Sequence, residues 1–375
     1  MKYLALFVIS LLAFGLLPAY AKELTKVTSF DPSASEAPEG IAVDGNGNVY
    51  IGLAFTGEVR KIAPDGSVSS FAQLPSPGNG FMTGLAVDSS GALFIALASF
   101  DENHGIWRVN ADGSDAKIFA SLTANGGPDG LPNALDFDNN GNLYASDTLG
   151  GRIWKIDQSG TVSVWTADPL LKGAGPHEPP LPPTIGANGI AFDNQKRNLY
   201  VANTDLGRII KIPLGQDGSA GVASVFAEDQ AGLGGADGIT FDRDGNLYVA
   251  LVTQDKVVVI LEGGGISTIA EGPPLQNPAV VRFGADGNEN TLYITNFAML
   301  RFLGLVEETP EPSIFAIETS SEGSDGTMIA IITGIILLLV AAIGVFVVSR
   351  RKLSTSSKGQ ESSTKQPASP KPKKK

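Results

Sequence analysis

From Leu24 to Glu318 the chain alternates apolar and polar residues over runs of five to seven positions, and Gly, Asn and Asp interrupt the runs at short intervals. A period of two with such breaks predicts β-hairpins rather than helices. The pattern also repeats at a longer range. PEGIAVDGNGNVYIG from Pro38, MTGLAVDSSGALFIA from Met82, PNALDFDNNGNLYAS from Pro132, ANGIAFDNQKRNLYVA from Ala187, ADGITFDRDGNLYVA from Ala236 and NPAVVRFGADGNENTLYIT from Asn277 share one shape. Each is a short apolar strand, an Asp-Gly or Asn-Gly turn, and a second strand bearing an aromatic. A second hairpin follows in the first five units, as in GEVRKIAPDGSVSSFA from Gly57 and GRIWKIDQSGTVSVWTA from Gly151. Units of roughly 40 to 55 residues with four strands each, A to D, predict an all-β, six-bladed propeller of antiparallel blades.

The count of strands predicts how the ring closes. The last unit has strands A and B and a candidate C at Ser313 to Glu318, but no D. Leu24 to Phe30 reads as an outermost strand with no blade before it, so the N-terminal strand is expected to complete blade six. Glu307 to Pro312 is the least regular stretch.

Two segments outside this pattern are apolar throughout. Residues 1–21 carry Lys2, an apolar run from Leu4 to Leu17 and a small-residue ending, Ala19-Tyr20-Ala21, which predicts a cleaved secretory signal. Residues 22–319 then form the ectodomain and 320–326 a linker. Thr327 to Ser349 holds no charge; as a helix it reaches roughly 34 Å, enough to cross a bilayer. Arg350, Arg351 and Lys352 follow immediately, placing the 350–375 tail in the cytoplasm and the propeller outside the cell membrane as a single-pass protein. The tail, rich in Ser, Pro and Lys, is expected to be disordered, with its lysines available to anionic lipid.

Charge sharpens the picture. The whole chain carries 39 acidic against 27 basic residues, and many of the basic ones sit in the tail. The remainder is strongly acidic, which argues against nucleic acid as a partner. There is no cysteine, so packing rather than disulfides must hold an exported fold together.

The start of strand A in each blade faces the channel axis, on the face shared by the D–A and B–C loops. Glu39, Thr83, Asn133, Asn188, Asp237 and Asn277 occupy that row. Glu39, Asn133, Asn188 and Asp237 offer two carboxylates and two amides, a hard-oxygen set suited to a divalent cation. Ca2+ fits best, with Mg2+, Mn2+ and Zn2+ as alternatives. The competing reading is turn chemistry, since Asn-Gly and Asp-Gly are common turn formers. However, Asp112-Gly113 and Asp244-Gly245 fall in turns of the opposite face, whereas these four do not. Both histidines, His104 in the B–C loop of blade two and His177 in the D–A loop before blade four, fall on the same face. They are candidates for substrate contact, as is Asn277, against the plainer reading of exposed loop side chains. Pro176 to Pro183 reads as a lid or as a rigid spacer.

The repeat, the blade count and the ordered set Glu39, Asn133, Asn188 and Asp237 resemble the SMP-30/gluconolactonase/LRE-like family and the related paraoxonase and diisopropyl-fluorophosphatase propellers. The resemblance implies a channel cation held by those four residues and metal-assisted hydrolysis of a lactone or ester. Asp237 would then serve as catalytic carboxylate and Asn133 would touch substrate as well as metal. Sugar-lactone members of that family place an arginine where this chain has Leu131, which implies a more apolar substrate. The alternative function is a non-enzymatic, NHL-like propeller that binds or senses at the cell surface, because the hairpins look nearly the same and a ring of blades does not fix function.

Overall fold

The structure, a computed structural model, describes residues 23–125 and 127–319. The chain divides into two units, Met1–Thr319 and Ser320–Lys375. The signal segment, the linker, the 327–349 span and the basic tail therefore lie outside the described residues. Among the described residues no helix is long and apolar enough to cross a membrane.

Six four-stranded antiparallel sheets are arranged around one axis. The innermost strands A are Pro38–Val43, Phe81–Val87, Pro132–Phe137, Ala187–Phe192, Ala236–Phe241 and Pro278–Phe283. Each packs on the next, and the sixth packs on the first. Closure follows the sequence expectation: Thr25–Ser29 pairs antiparallel with Ser313–Glu318, giving blade six the order A, B, C and then the N-terminal strand as D. Backbone N–H of Phe30 donates to Pro312 O, extending that pairing by one rung. Joining the chain ends this way removes two exposed sheet edges.

The blade aromatics have a physical role. Tyr144 and Tyr200 of strands B meet Phe192 and Phe241 of the following blade edge-on, and Phe94–Phe137 and Tyr248–Phe283 repeat the contact. These T-shaped pairs, each worth about 0.5–1.5 kcal/mol beyond simple burial, stitch neighbouring blades together. The conspicuous Asp of each A–B turn acts locally. Asp44, Asp88, Asp138 and Asp242 each accept backbone N–H groups two and four residues on.

One feature of strand A decides the channel. In every blade its register against strand B slips by one residue near the start, between Pro38 and Ile41 in blade one and at the matching place elsewhere. Such a bulge turns the strand and re-aims a side chain. The residue following the first paired position sits within it. The bulge also brings adjacent strands A very close: a Cβ on Gly189 would lie 1.9 Å from Asp237 O, and one on Gly40 would lie 2.2 Å from Thr83 O. Replacing Gly189 by Ala is expected to destabilise the propeller by about 3 kcal/mol, since backbone rather than a flexible side chain must move. A thermal melt within error of the wild type would contradict this close approach.

Candidate metal centre

The register gives the ring of residues at the bulge: Glu39, Thr83, Asn133, Asn188, Asp237 and Ala279. Each follows the last residue paired with strand B before the register slips: Pro38, Met82, Pro132, Ala187, Ala236 and Pro278. Blade six therefore contributes Ala279, and Asn277 is displaced two residues upstream. The extra residues Gln276 and Asn277 belong to the loop. Asn277 has φ 49° and is buried with its side chain committed. Its Nδ2 donates to Val252 O, and its Oδ1 accepts from Leu300 N and from an Arg301 guanidinium N–H. It does not reach the cavity described next.

Glu39, Asn133, Asn188 and Asp237 line one axial cavity of about 70 Å³. Glu39, Asn188 and Asp237 are at most 7% exposed. Buried polar atoms normally find partners, yet Glu39 Oε2 and Asn188 Oδ1 have none among the described residues. Two orphaned oxygens on residues of different blades that line the same cavity are what a cation centre requires. Burial raises the Glu39 carboxyl well above its ordinary range, and the neighbouring Asp237 charge adds to the rise. Burial likewise lifts Asp237 to about 8, against a smaller opposing pull from the Asn188 amide. Two buried carboxyls that resist ionising together need a counter-charge to ionise. A divalent cation would supply it, and an all-oxygen donor set of two carboxylates and two amides fits Ca2+ chemistry.

Two threonines orient the amides. Asn188 Nδ2 donates to Thr204 Oγ1 at 2.9 Å, and Thr204 donates in turn to Ala236 O. Asn133 Nδ2 donates to Thr148 Oγ1 at 3.3 Å, and Thr148 donates to Ala187 O. With each amide nitrogen engaged, the carbonyl oxygen is the amide atom left for a cation. Sequence reasoning passed over both threonines. Their signal was present, because Asp147-Thr148 and Asn203-Thr204 end strand B in just the two blades that carry the asparagines. Thr204→Val is expected to weaken cation affinity about tenfold, read by competition with a calcium indicator, because the amide loses the partner that fixes its orientation. Unchanged affinity would mean that Asn188 is not held this way.

Apart from Thr83, Thr148 and Thr204 the rest of the lining is apolar: Phe81, Leu131, Ile185, Phe297, Met299 and Leu303 among others, together with Pro180, Leu181 and Pro182. The proline-rich insertion thus lies against the cavity. Asp205 holds its base, accepting from Ala174 N and Ile185 N through Oδ2 and pairing with His177 Nε2 at 2.7 Å through Oδ1. His177 is thereby an anchor of the insertion and does not line the cavity. His104 is buried rather than exposed. Its Nδ1 accepts from Phe100 N and its Nε2 lies 3.3 Å from Asp129 O, so it braces the B–C loop of blade two, also away from the cavity. Burial lowers its pKa, keeping it neutral.

Fold and centre together define a six-bladed propeller with an oxygen-lined site on its axis. Residues 178–298 match the family described as SMP-30/Gluconolactonase/LRE-like region, so the likeness read from the sequence is an SMP-30/gluconolactonase/LRE-like one. Among curated relatives, a lactonase, drp35, of Staphylococcus saprophyticus subsp. saprophyticus is 28% identical over 268 residues, covering 66% of this chain and 75% of the relative. A 6-deoxy-6-sulfogluconolactonase of Pseudomonas putida is 26% identical over 256 residues, covering 66% and 78%. Among solved structures, a gluconolactonase from Xanthomonas campestris superposes with a TM-score of 0.57 at 19% identity over 79% of this chain and 90% of its own. Regucalcin from Agrobacterium tumefaciens str. C58, described as a calcium-binding protein, gives 0.57 at 18% identity over 80% and 94%. At these identities the structural likeness concerns the fold.

Proposed function

We propose that this chain is a metal-dependent hydrolase of lactones or esters with an apolar body, displayed outside the cell membrane on a single C-terminal helix. The observation that carries the chemistry is the pair of orphaned oxygens, Glu39 Oε2 and Asn188 Oδ1, in the same cavity as Asp237 and Asn133. Lactonases and gluconolactonases among the relatives support the reaction class. The tether rests on the uncharged 327–349 segment and the Arg350-Arg351-Lys352 run, and export rests on residues 1–21.

Glu39, Asn133, Asn188 and Asp237 would hold the cation. Bound there, it would polarise the substrate carbonyl and favour attack by water. Asp237, ionised once the cation displaces its proton, would accept the proton of the attacking water on its carboxylate. Asn133, half-buried at the cavity wall, is placed to donate to or accept from the substrate. Phe81, Leu131, Phe297 and Met299 exclude bulk water and pack the substrate body. No Lys, Arg or His lines this cavity among the described residues, so beyond the cation itself a charged sugar acid finds no counter-ion on a side chain there.

The decisive experiment measures metal content of the purified chain together with hydrolysis of aromatic and aliphatic lactones and aryl esters, with and without chelator. Hydrolysis that needs the metal supports the reading. Failure to retain any divalent cation would sink it and leave a ring for docking other molecules. Phe297→Ala is expected to raise KM for an aryl lactone about tenfold with little change in kcat, because it removes packing shared by ground and transition states.

A further inference from the structure

The opposite end of the channel holds a second, larger cavity of about 730 Å³, walled by the A–B turns and unused by the chemistry above. Following strand A three residues past each bulge, the register gives another ring: Ala42, Ala86, Asp136, Ala191, Thr240 and Arg282. Four members are small. The other two carry opposite charges on blades three and six, which face each other across a six-bladed ring.

These two do not simply neutralise each other. Asp136 is already satisfied, accepting from its neighbour Phe137 N, from Phe192 N and from Lys196 Nζ at 3.0 Å. Arg282 has no ion-pair partner among the described residues, and its enclosed Nε has no acceptor. The acids at the rim are likewise engaged, since Asp88, Asp138 and Asp157 cap their own turns through backbone N–H groups. Asp136 acts on Arg282 through space without a hydrogen bond, so the Arg282 guanidinium stands at this cavity beside Arg108 and Lys196 with its Nε lacking an acceptor. Around it stand Ala42, Leu85, Ala86, Phe94 and Phe137.

A guanidinium without an acceptor, in a largely polar cavity that also presents the apolar side chains Leu85, Phe94 and Phe137, is suited to a bidentate oxyanion on an apolar body. We infer that the far mouth of the channel binds a small organic carboxylate, with its carboxyl group on Arg282 and its hydrocarbon part against Leu85, Phe94 and Phe137. The large cavity shares no lining residue with the four candidate cation ligands, although Arg282 also borders a small void with Asn133 and Asp237.

Calorimetric titration of the purified full chain with benzoate and with acetate, at fixed ionic strength and with EDTA present to remove carboxylate binding at the cation centre, tests the assignment. Saturable benzoate binding is expected, at least tenfold tighter than acetate, weakened about tenfold or more in Arg282→Gln and partly restored in Arg282→Lys. Absence of benzoate binding by the wild type overturns the assignment, as does equal affinity for acetate. Affinity unchanged in Arg282→Gln overturns it too. Should Arg282→Gln fail to fold, Arg282→Lys decides: benzoate affinity equal to the wild type would count against the bidentate contact.

Discussion

Asp237→Asn is expected to lose the bound divalent cation and to lower kcat/KM for lactone hydrolysis by about three orders of magnitude, in line with removing a proton-transfer group from a metal-assisted reaction. The substitution keeps size and hydrogen bonding while removing one of the two buried carboxyls, so the propeller should fold. The metal-free variant should even melt above the metal-free wild type, because burial and the Glu39–Asp237 repulsion both disfavour the ionised pair. Metal analysis, steady-state kinetics and melts in EDTA read the three effects separately. A variant with full activity would remove Asp237 from the chemistry, and a less stable metal-free variant would contradict the electrostatic account of the centre.

The second large effect is the response to metal removal at different pH. Asp237 is raised to about 8 by burial, and Glu39 is raised in the same direction. Between the ordinary carboxyl range near pH 4 and about pH 8, the folded metal-free protein therefore holds protons that the unfolded chain has lost. Stability of the metal-free protein then falls as pH rises through that window. A cation displaces those protons, so its affinity rises with pH over the same interval and its binding releases protons. At pH 8 and a Ca2+ concentration about a thousand times Kd, the melting temperature should exceed that in EDTA by on the order of 10 °C. At pH 5 the gap should shrink to a few degrees. A gap independent of pH would show that the two carboxyls do not titrate against the cation.

Much of this protein can be read along the chain. Alternation of period two, the Asp-Gly and Asn-Gly turns and six units of one shape determine the blades, because a hairpin is specified locally by its turn and its pleat. The missing fourth strand of the last unit and the orphan strand at Leu24 to Phe30 determine the closure, which the Thr25–Ser29 and Ser313–Glu318 pairing displays. Glu39, Asn133, Asn188 and Asp237 were legible as equivalent positions of a repeat. The rest depends on the ring. The one-residue bulge that aims these side chains inward leaves no mark in composition, and it assigns blade six Ala279 in place of Asn277. The duties of His104 and His177 are set by Asp129 O and Asp205, partners 25 and 28 residues away. The opposition of Asp136 and Arg282 exists only once six blades have closed. Local periodicity specifies a blade, but which oxygens and charges share the axis is fixed by register and closure, and those are properties of the whole circle.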